Sequence, residues 1–266
     1  MQSVTVGDAT LRYEHAPRPG APALMLLNSL GTSLEMWDDQ ISELQQHFEV
    51  VRYDVRGHGK STVSPGTELT LDQLGRDALA VLDACGIARA HLCGLSLGGM
   101  TVMQIARHWP DRVLKIALCN TSAHMPPPEN WNIRAQLVLS QGMTAVTEGV
   151  LTRWFTPAFR QAEPERVDRI RQMLLSTQPA GYAACCAAIR DMDLRDDIKS
   201  IDATTLVIGG TKDPGTPPAN SELIAASIPG AQLKLLDAAH LSNIEQAQEF
   251  SATILGFFGA EALPVS

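Results

Sequence analysis

The sequence predicts an α/β protein built on a mostly parallel, eight-stranded sheet with helices on both faces and a helical cap insertion. Eight short apolar runs are spread along the 266-residue chain, most of them continuous rather than alternating, as expected of strands covered on both faces. Helical patterns fall between them, which argues for parallel strands joined by right-handed crossovers. Between residues 121 and 200 that rhythm stops and no strand pattern appears.

Taken in chain order, the strands are read at Val4 to Val6, Leu11 to Tyr13, Ala23 to Leu27, Val50 to Tyr53, His91 to Cys93, Val113 to Cys119, Thr205 to Ile208 and Leu233 to Leu236. The main helical patterns are Leu69 to Cys85, Leu97 to Trp109, Pro217 to Ser227 and Glu245 to Phe258. In the interrupted stretch, amphipathic segments follow one another at Ile133 to Ser140, Val146 to Phe155 and Pro164 to Leu175. Pro126, Pro127 and Pro128 mark its entry, because successive prolines lack N–H donors and hold the chain extended. The expected organisation is therefore a core from 1–120 and 201–266, with 121–200 as the cap. The tail Glu261 to Ser266 is expected to fray.

Composition narrows the function classes. A 45% hydrophobic content is enough for one main domain. No basic segment leads into an apolar run at the start, and nowhere do 18 apolar residues run together, so a soluble cytoplasmic protein without a membrane partner is expected. Cys85, Cys93, Cys119, Cys185 and Cys186 form no even framework and are read as reduced thiols, the adjacent pair as small fillers of an Ala-rich helix. A net charge of −8 with scattered Lys and Arg speaks against a nucleic-acid partner. Gly94 to Gly99 lacks the G-x-G-x-x-G spacing, so no NAD, FAD or ATP site is implied. His91 and Cys93 share a strand face as core rather than as a metal site, and His58 in Asp54 to Ser61 reads as structural. Neither metal nor cofactor is expected.

The chemistry-bearing signal is Gly94-Leu95-Ser96-Leu97-Gly98-Gly99, which follows one strand directly and opens a helix directly. A turn that sharp needs glycine two residues either side of the serine and leaves its Oγ exposed, as in a nucleophile elbow. A serine hydroxyl attacks only with a base in hydrogen-bond reach and a carboxylate holding that base. The base is read as His240, in the loop after the last strand, with His108 and His124 as rivals. The acid is read as Asp213, just past the strand Thr205 to Ile208, with Asp237 as its competitor only three residues from His240. The backbone N–H groups of Leu30, in the loop after the third strand, and of Leu97, at the helix start, are the candidate oxyanion donors.

Further motifs carry a family resemblance. Asn28-Ser29-Leu30-Gly31-Thr32 with Met36-Trp37, Leu118-Cys119-Asn120-Thr121, Arg153-Trp154-Phe155-Thr156, the run from Cys186 to Arg195 and that from Leu236 to Asn243 together resemble the 3-oxoadipate enol-lactonases. These are α/β-hydrolases of the β-ketoadipate pathway, and the resemblance runs nearly the full length. It implies an α/β-hydrolase fold and hydrolysis of 3-oxoadipate enol-lactone in aromatic catabolism through an acyl-serine. It carries nucleophile, acid and base onto Ser96, Asp213 and His240. The implied substrate bears a carboxylate, which an acidic protein can hold only with a local cation. Arg134, Arg153 and Arg190 in the insertion are the candidates, with Trp131 and Trp154 as apolar walls.

A general carboxylesterase or perhydrolase is the nearest rival, since elbow and triad do not identify the acyl group. A ligand-sensing α/β-hydrolase protein that keeps a triad is a rival of another class. A haloalkane dehalogenase is disfavoured because Ser96 stands where it needs Asp. The oligomeric state is left open.

Overall fold

The computed structural model describes residues 2–64 and 66–259; the expected fraying at 261–266 lies outside the described residues. The chain begins with a hairpin, β1 (Gln2–Val6) and β2 (Ala9–Ala16), and continues into β3 (Ala23–Leu27), α1 (Asp38–Leu44), β4 (Glu49–Tyr53), α2 (Leu71–Ala84), β5 (Ala90–Leu95), α3 (Leu97–His108) and β6 (Val113–Cys119). Five helices follow: α4 (Pro128–Gln141), α5 (Thr144–Trp154), α6 (Pro157–Ala162), α7 (Pro164–Ser176) and α8 (Pro179–Asp191). The chain then returns through β7 (Thr204–Gly210), α9 (Pro218–Ser227), β8 (Gln232–Leu236), α10 (Ser242–Glu245) and α11 (Ala247–Phe258).

The eight strands form one sheet in the order β1-β2-β4-β3-β5-β6-β7-β8. The first two strands join antiparallel, and every pairing from β4 through β8 is parallel. Every residue of β3 and of β5 is buried, which explains their continuous apolar runs. All the parallel strands end on the same side, so the loops after β3, β5, β6, β7 and β8 converge there.

Local chemistry sets several boundaries. Thr70 caps α2 by accepting from the N–H of Gln73 at 3.2 Å. In the insertion, α4, α6, α7 and α8 each carry proline in the first turn, where its missing N–H leaves no hydrogen bond unmade. Three short helices have no counterpart in the sequence reading, α1 with seven residues, α6 with six and α10 with four; two turns or fewer are too few for a 3.6-residue period to declare itself.

The insertion is fastened to the core by close backbone contact. Gly57 and Gly181 lie so near that a Cβ on Gly181 would stand 2.5 Å from the Gly57 Cα, and the N–H of Gln178 donates to the Gly57 carbonyl at 3.0 Å. Arg166 adds a bridge from α7 to Asp39 at 2.5 Å and to the carbonyl of Ile244 at 2.8 Å. His58 is buried, its Nδ1 bonded to the carbonyl of Arg56, and His91 packs edge-on against Phe48. All five cysteines are free thiols. Among the described residues no helix is long and apolar enough to cross a membrane, and no cluster of three His, Cys, Asp or Glu is placed to hold a metal ion.

Candidate active site

Ser96 sits between β5 and α3 at φ 57° and ψ −115°, a region that L-residues rarely enter. Its neighbours impose that strain. A Cβ on Gly94 would lie 2.3 Å from the Gly98 carbonyl oxygen, and one on Gly98 would lie 2.2 Å from that of Leu27. The Ser96 N–H donates to the Cys119 carbonyl at 2.9 Å, and the Thr121 hydroxyl donates to the Ser96 carbonyl at 2.7 Å. With both backbone groups tied to the end of β6, the side chain is turned into a cavity.

His240 lines the same cavity and meets Asp213 behind it. The Nδ1 of His240 lies 2.7 Å from Asp213 Oδ2, which leaves Nε2 as the ring nitrogen able to accept a proton. Asp213 is saturated with donors. Its Oδ1 accepts from the N–H groups of Gly215 and Thr216 at 2.8 and 3.0 Å, and Oδ2 also accepts from the Thr216 hydroxyl at 2.7 Å and from Asn120 Nδ2 at 3.0 Å. Burial alone would push this carboxyl upward, but the His240 charge and these donors outweigh it and hold the pKa below the ordinary aspartate value. Asp237 faces solvent and pairs with Lys212 at 2.7 Å. His108 lies exposed at the end of α3, and His124 bonds the Met192 carbonyl away from the cavity.

Asn120, quoted in the sequence reading only within the resembling motif Leu118 to Thr121, had no role assigned to it there. It follows β6 at a left-handed φ of 43°, which asparagine tolerates better than most residues. Its amide nitrogen also donates to the Ala239 carbonyl at 3.2 Å, and its Oδ1 accepts from the Ser242 hydroxyl at 2.6 Å. One buried side chain thus clasps the acid, the histidine loop and the start of α10. A polar residue ending the apolar run Val113 to Cys119 was the available signal.

Ser96 and His240 line a cavity of about 290 Å³ whose opposite wall comes from the insertion: Trp131 and Arg134 of α4, Arg153 and Trp154 of α5, and Tyr182 of α8. Leu30 also lines it, and Leu97 is buried at the first position of α3. Among the described residues neither the Leu30 nor the Leu97 N–H donates to a protein acceptor, so both remain available to an oxyanion. Arg134 stacks over Trp131, its guanidinium carbon 4.8 Å from the ring centroid. Arg153 has its pKa lowered first by burial and then by the positive charge of Arg134. Among the described residues neither arginine forms an ion pair, whereas Arg166, Arg171 and Arg190 of the same insertion do. Arg190 does not reach this cavity. Its guanidinium is held by Asp191 at 2.6 Å and by Asn132 at 2.9 Å on the outer side of α4 and α8, so the sequence reading placed one arginine too many at the site.

A hydroxyl on a strained turn, an imidazole oriented by a buried carboxylate, two unused backbone donors and a cationic wall can together perform acyl transfer on an anionic substrate. Comparisons with known proteins agree on the class. The alpha/beta hydrolase fold model matches residues 22–247. The chain is 39% identical to 3-oxoadipate enol-lactonase 2 of Acinetobacter baylyi over 95% of this chain and 94% of that protein. It superposes on the crystal structure of the enol-lactonase from Burkholderia xenovorans with a TM-score of 0.94 at 41% identity, covering 97% of this chain and 99% of that one. A thermophilic esterase from Thermogutta terrifontis is similar at 30% identity and a TM-score of 0.89, over 96% of this chain and 97% of the other.

Proposed function

We infer the activity from a single premise: the chain belongs to the alpha/beta hydrolase fold family, as an enzyme acting on carboxylic esters. Within that class we propose that it opens 3-oxoadipate enol-lactone to 3-oxoadipate through an acyl-serine, as a step of aromatic catabolism by the β-ketoadipate pathway. Residues 121–200 act as the cap that shapes the substrate site. The observation that carries this reading is the pair of arginines without carboxylate partners, Arg134 and Arg153, in the wall facing Ser96 and His240. A protein of net charge −8 gathers such charge at a catalytic cavity to hold an anion.

In this mechanism Ser96 attacks the lactone carbonyl carbon while His240 Nε2 takes the hydroxyl proton, and Asp213 holds the ring in the tautomer that allows it. The Leu30 and Leu97 N–H groups receive the oxyanion, where removing one donor typically costs about 3 kcal/mol of transition-state stabilisation. Collapse opens the ring and leaves an acyl-serine. Water, deprotonated by the same histidine, then releases the product. Trp131 and Trp154 form the flat apolar walls, and Arg134, pinned on Trp131, takes the acetate carboxylate.

The test is turnover of a panel containing the enol-lactone, neutral lactones and neutral alkyl esters. The expected result is a kcat/KM for the enol-lactone at least ~100-fold above any neutral substrate, the range that a desolvated charge pair supplies. Ser96→Ala should fold normally and retain under about 1% of that rate. A panel that peaks on neutral esters would replace the lactonase reading with a general esterase.

A further inference from the structure

The cavity wall holds two guanidiniums, whereas the enol-lactone carries one carboxylate. A single anionic group accounts for one arginine and leaves the second, Arg153, half-buried and repelled by the first. Holding two like charges together in a confined site is unfavourable, and a second negative centre on the ligand offsets that cost further than one carboxylate does.

The reaction itself creates that centre. In the enol-lactone the ring oxygen and the acetate arm are attached to the same ring carbon. When the tetrahedral intermediate collapses, the bond between the acyl carbon and the ring oxygen breaks. Its electron pair stays on the departing oxygen as an enolate, and the ester carbonyl to Ser96 re-forms. The charge at that end of the substrate rises from one to two, on oxygens held a few bonds apart. The proton that His240 took from Ser96 then passes to the enolate, which becomes the ketone.

The placement of the arginines separates their tasks. Arg134 is on α4, with its guanidinium stacked on Trp131. Arg153 immediately precedes Trp154, whose ring stacks over His240 at 6.4 Å between centroids and whose carbonyl accepts from the Leu241 N–H at 3.1 Å. The last turn of α5 is therefore bound to the histidine loop, and Arg153 lines the same cavity as His240. We propose that Arg153 stabilises the departing enolate oxygen during ring opening, while Arg134 holds the carboxylate. This rests on the lactonase reading above and adds a catalytic role to it: the second cation acts on a charge absent from the ground state, so it lowers the barrier rather than the KM.

The experiment is single-turnover ring opening of the enol-lactone at saturating enzyme, with Arg153→Gln, Arg153→Lys and Arg134→Gln compared with the wild type. It is joined to a series of substituted phenyl acetates that varies the leaving group alone. Arg153→Gln should slow ring opening about 100-fold with KM changed less than about threefold, Arg153→Lys should recover part of the rate, and Arg134→Gln should chiefly raise KM, by about tenfold or more. On the phenyl acetates the loss caused by Arg153→Gln should grow as the leaving group becomes more basic. If Arg153→Gln raises KM without slowing ring opening, or loses the same factor across the whole series, the leaving-group role is overturned while the lactonase reading stands. If the wild type itself does not open the enol-lactone, the lactonase reading falls first and takes this role with it.

Discussion

Trp154 lies over His240 with ring planes 21° apart and centroids 6.4 Å apart, so a residue of the insertion forms part of the environment of the imidazole. Glu245 reinforces the link. Its carboxylate accepts from the Thr156 hydroxyl just beyond α5 and from the Ala239 N–H at 2.9 Å, next to the histidine. The insertion is thus tied to the histidine loop as well as lining the cavity.

Trp154→Leu keeps a buried apolar side chain but removes the flat face. The imidazole should then sample orientations in which Nε2 does not face Ser96, and kcat should fall by roughly tenfold or more, since small misplacements of a catalytic group are costly. The loss should appear on neutral esters as well as on anionic substrates. A variant that loses activity only on anionic substrates would restrict Trp154 to substrate contact.

The two aspartates near the histidine loop should separate cleanly. Asp213 accepts from four donors and also bonds the imidazole, whereas Asp237 pairs with Lys212 at the surface. Asp213→Asn presents an amide where Nδ1–H needs an acceptor and should lower kcat by about 10³ to 10⁴. Asp237→Asn breaks only an exposed pair and should stay within about threefold of the wild type. Reversed effects would reassign the acid.

Glycines give a stability prediction with an internal control. Gly98→Ala would place a Cβ 2.2 Å from the Leu27 carbonyl oxygen and 3.0 Å from that of Asn28, both backbone atoms that cannot swing aside. It should destabilise the protein by roughly 3 kcal/mol or more, or prevent folding. Gly256→Ala, exposed in the last turn of α11 with nothing within 4 Å of the new atom, should stabilise by up to about 0.5–1 kcal/mol. Urea midpoints of the two variants measure the contrast. Equal midpoints would mean that β3 and the elbow are not packed as described.

The parts of the molecule legible in the sequence are those where one local rule dominates. All eight strands were found; in β3 and β5, burial on both faces writes continuous apolar runs, and β7 was cut short at Ile208 where Gly209 and Gly210 end the run. Gly94 and Gly98 announced the elbow because no other residue fits there. The role of Asn120 was not legible because it depends on three partners, Asp213, Ala239 and Ser242, between 93 and 122 residues away, which no local pattern encodes. Arg190 was misplaced for a related reason: helical spacing puts a side chain on a face, but only the packing of α8 against α4 decides whether that face lines the cavity.

Acid should weaken the fold through two histidines that take no part in the chemistry. His58 and His91 are buried, and His58 Nε2 and His91 Nδ1 have no partner among the described residues. Burial pushes both down to about 4, against a weak opposing effect of the Arg56 carbonyl on His58 and with added repulsion from Lys115 on His91. In the unfolded chain each titrates at about 6.5. Between these values the unfolded chain binds two protons that the native one refuses, so the free energy of unfolding falls as the pH falls. The contribution is complete above about pH 7, diminishes through pH 5 and is exhausted below about pH 4, where both states are protonated; roughly 3 kcal/mol is at stake for each ring. Urea titrations at steps across this window should trace that slope, and His91→Leu, which cannot titrate, should reduce it by about half. Stability that stays flat from pH 7 to 5 in the wild type, or an unchanged slope in His91→Leu, would mean that these rings take up protons within the folded protein.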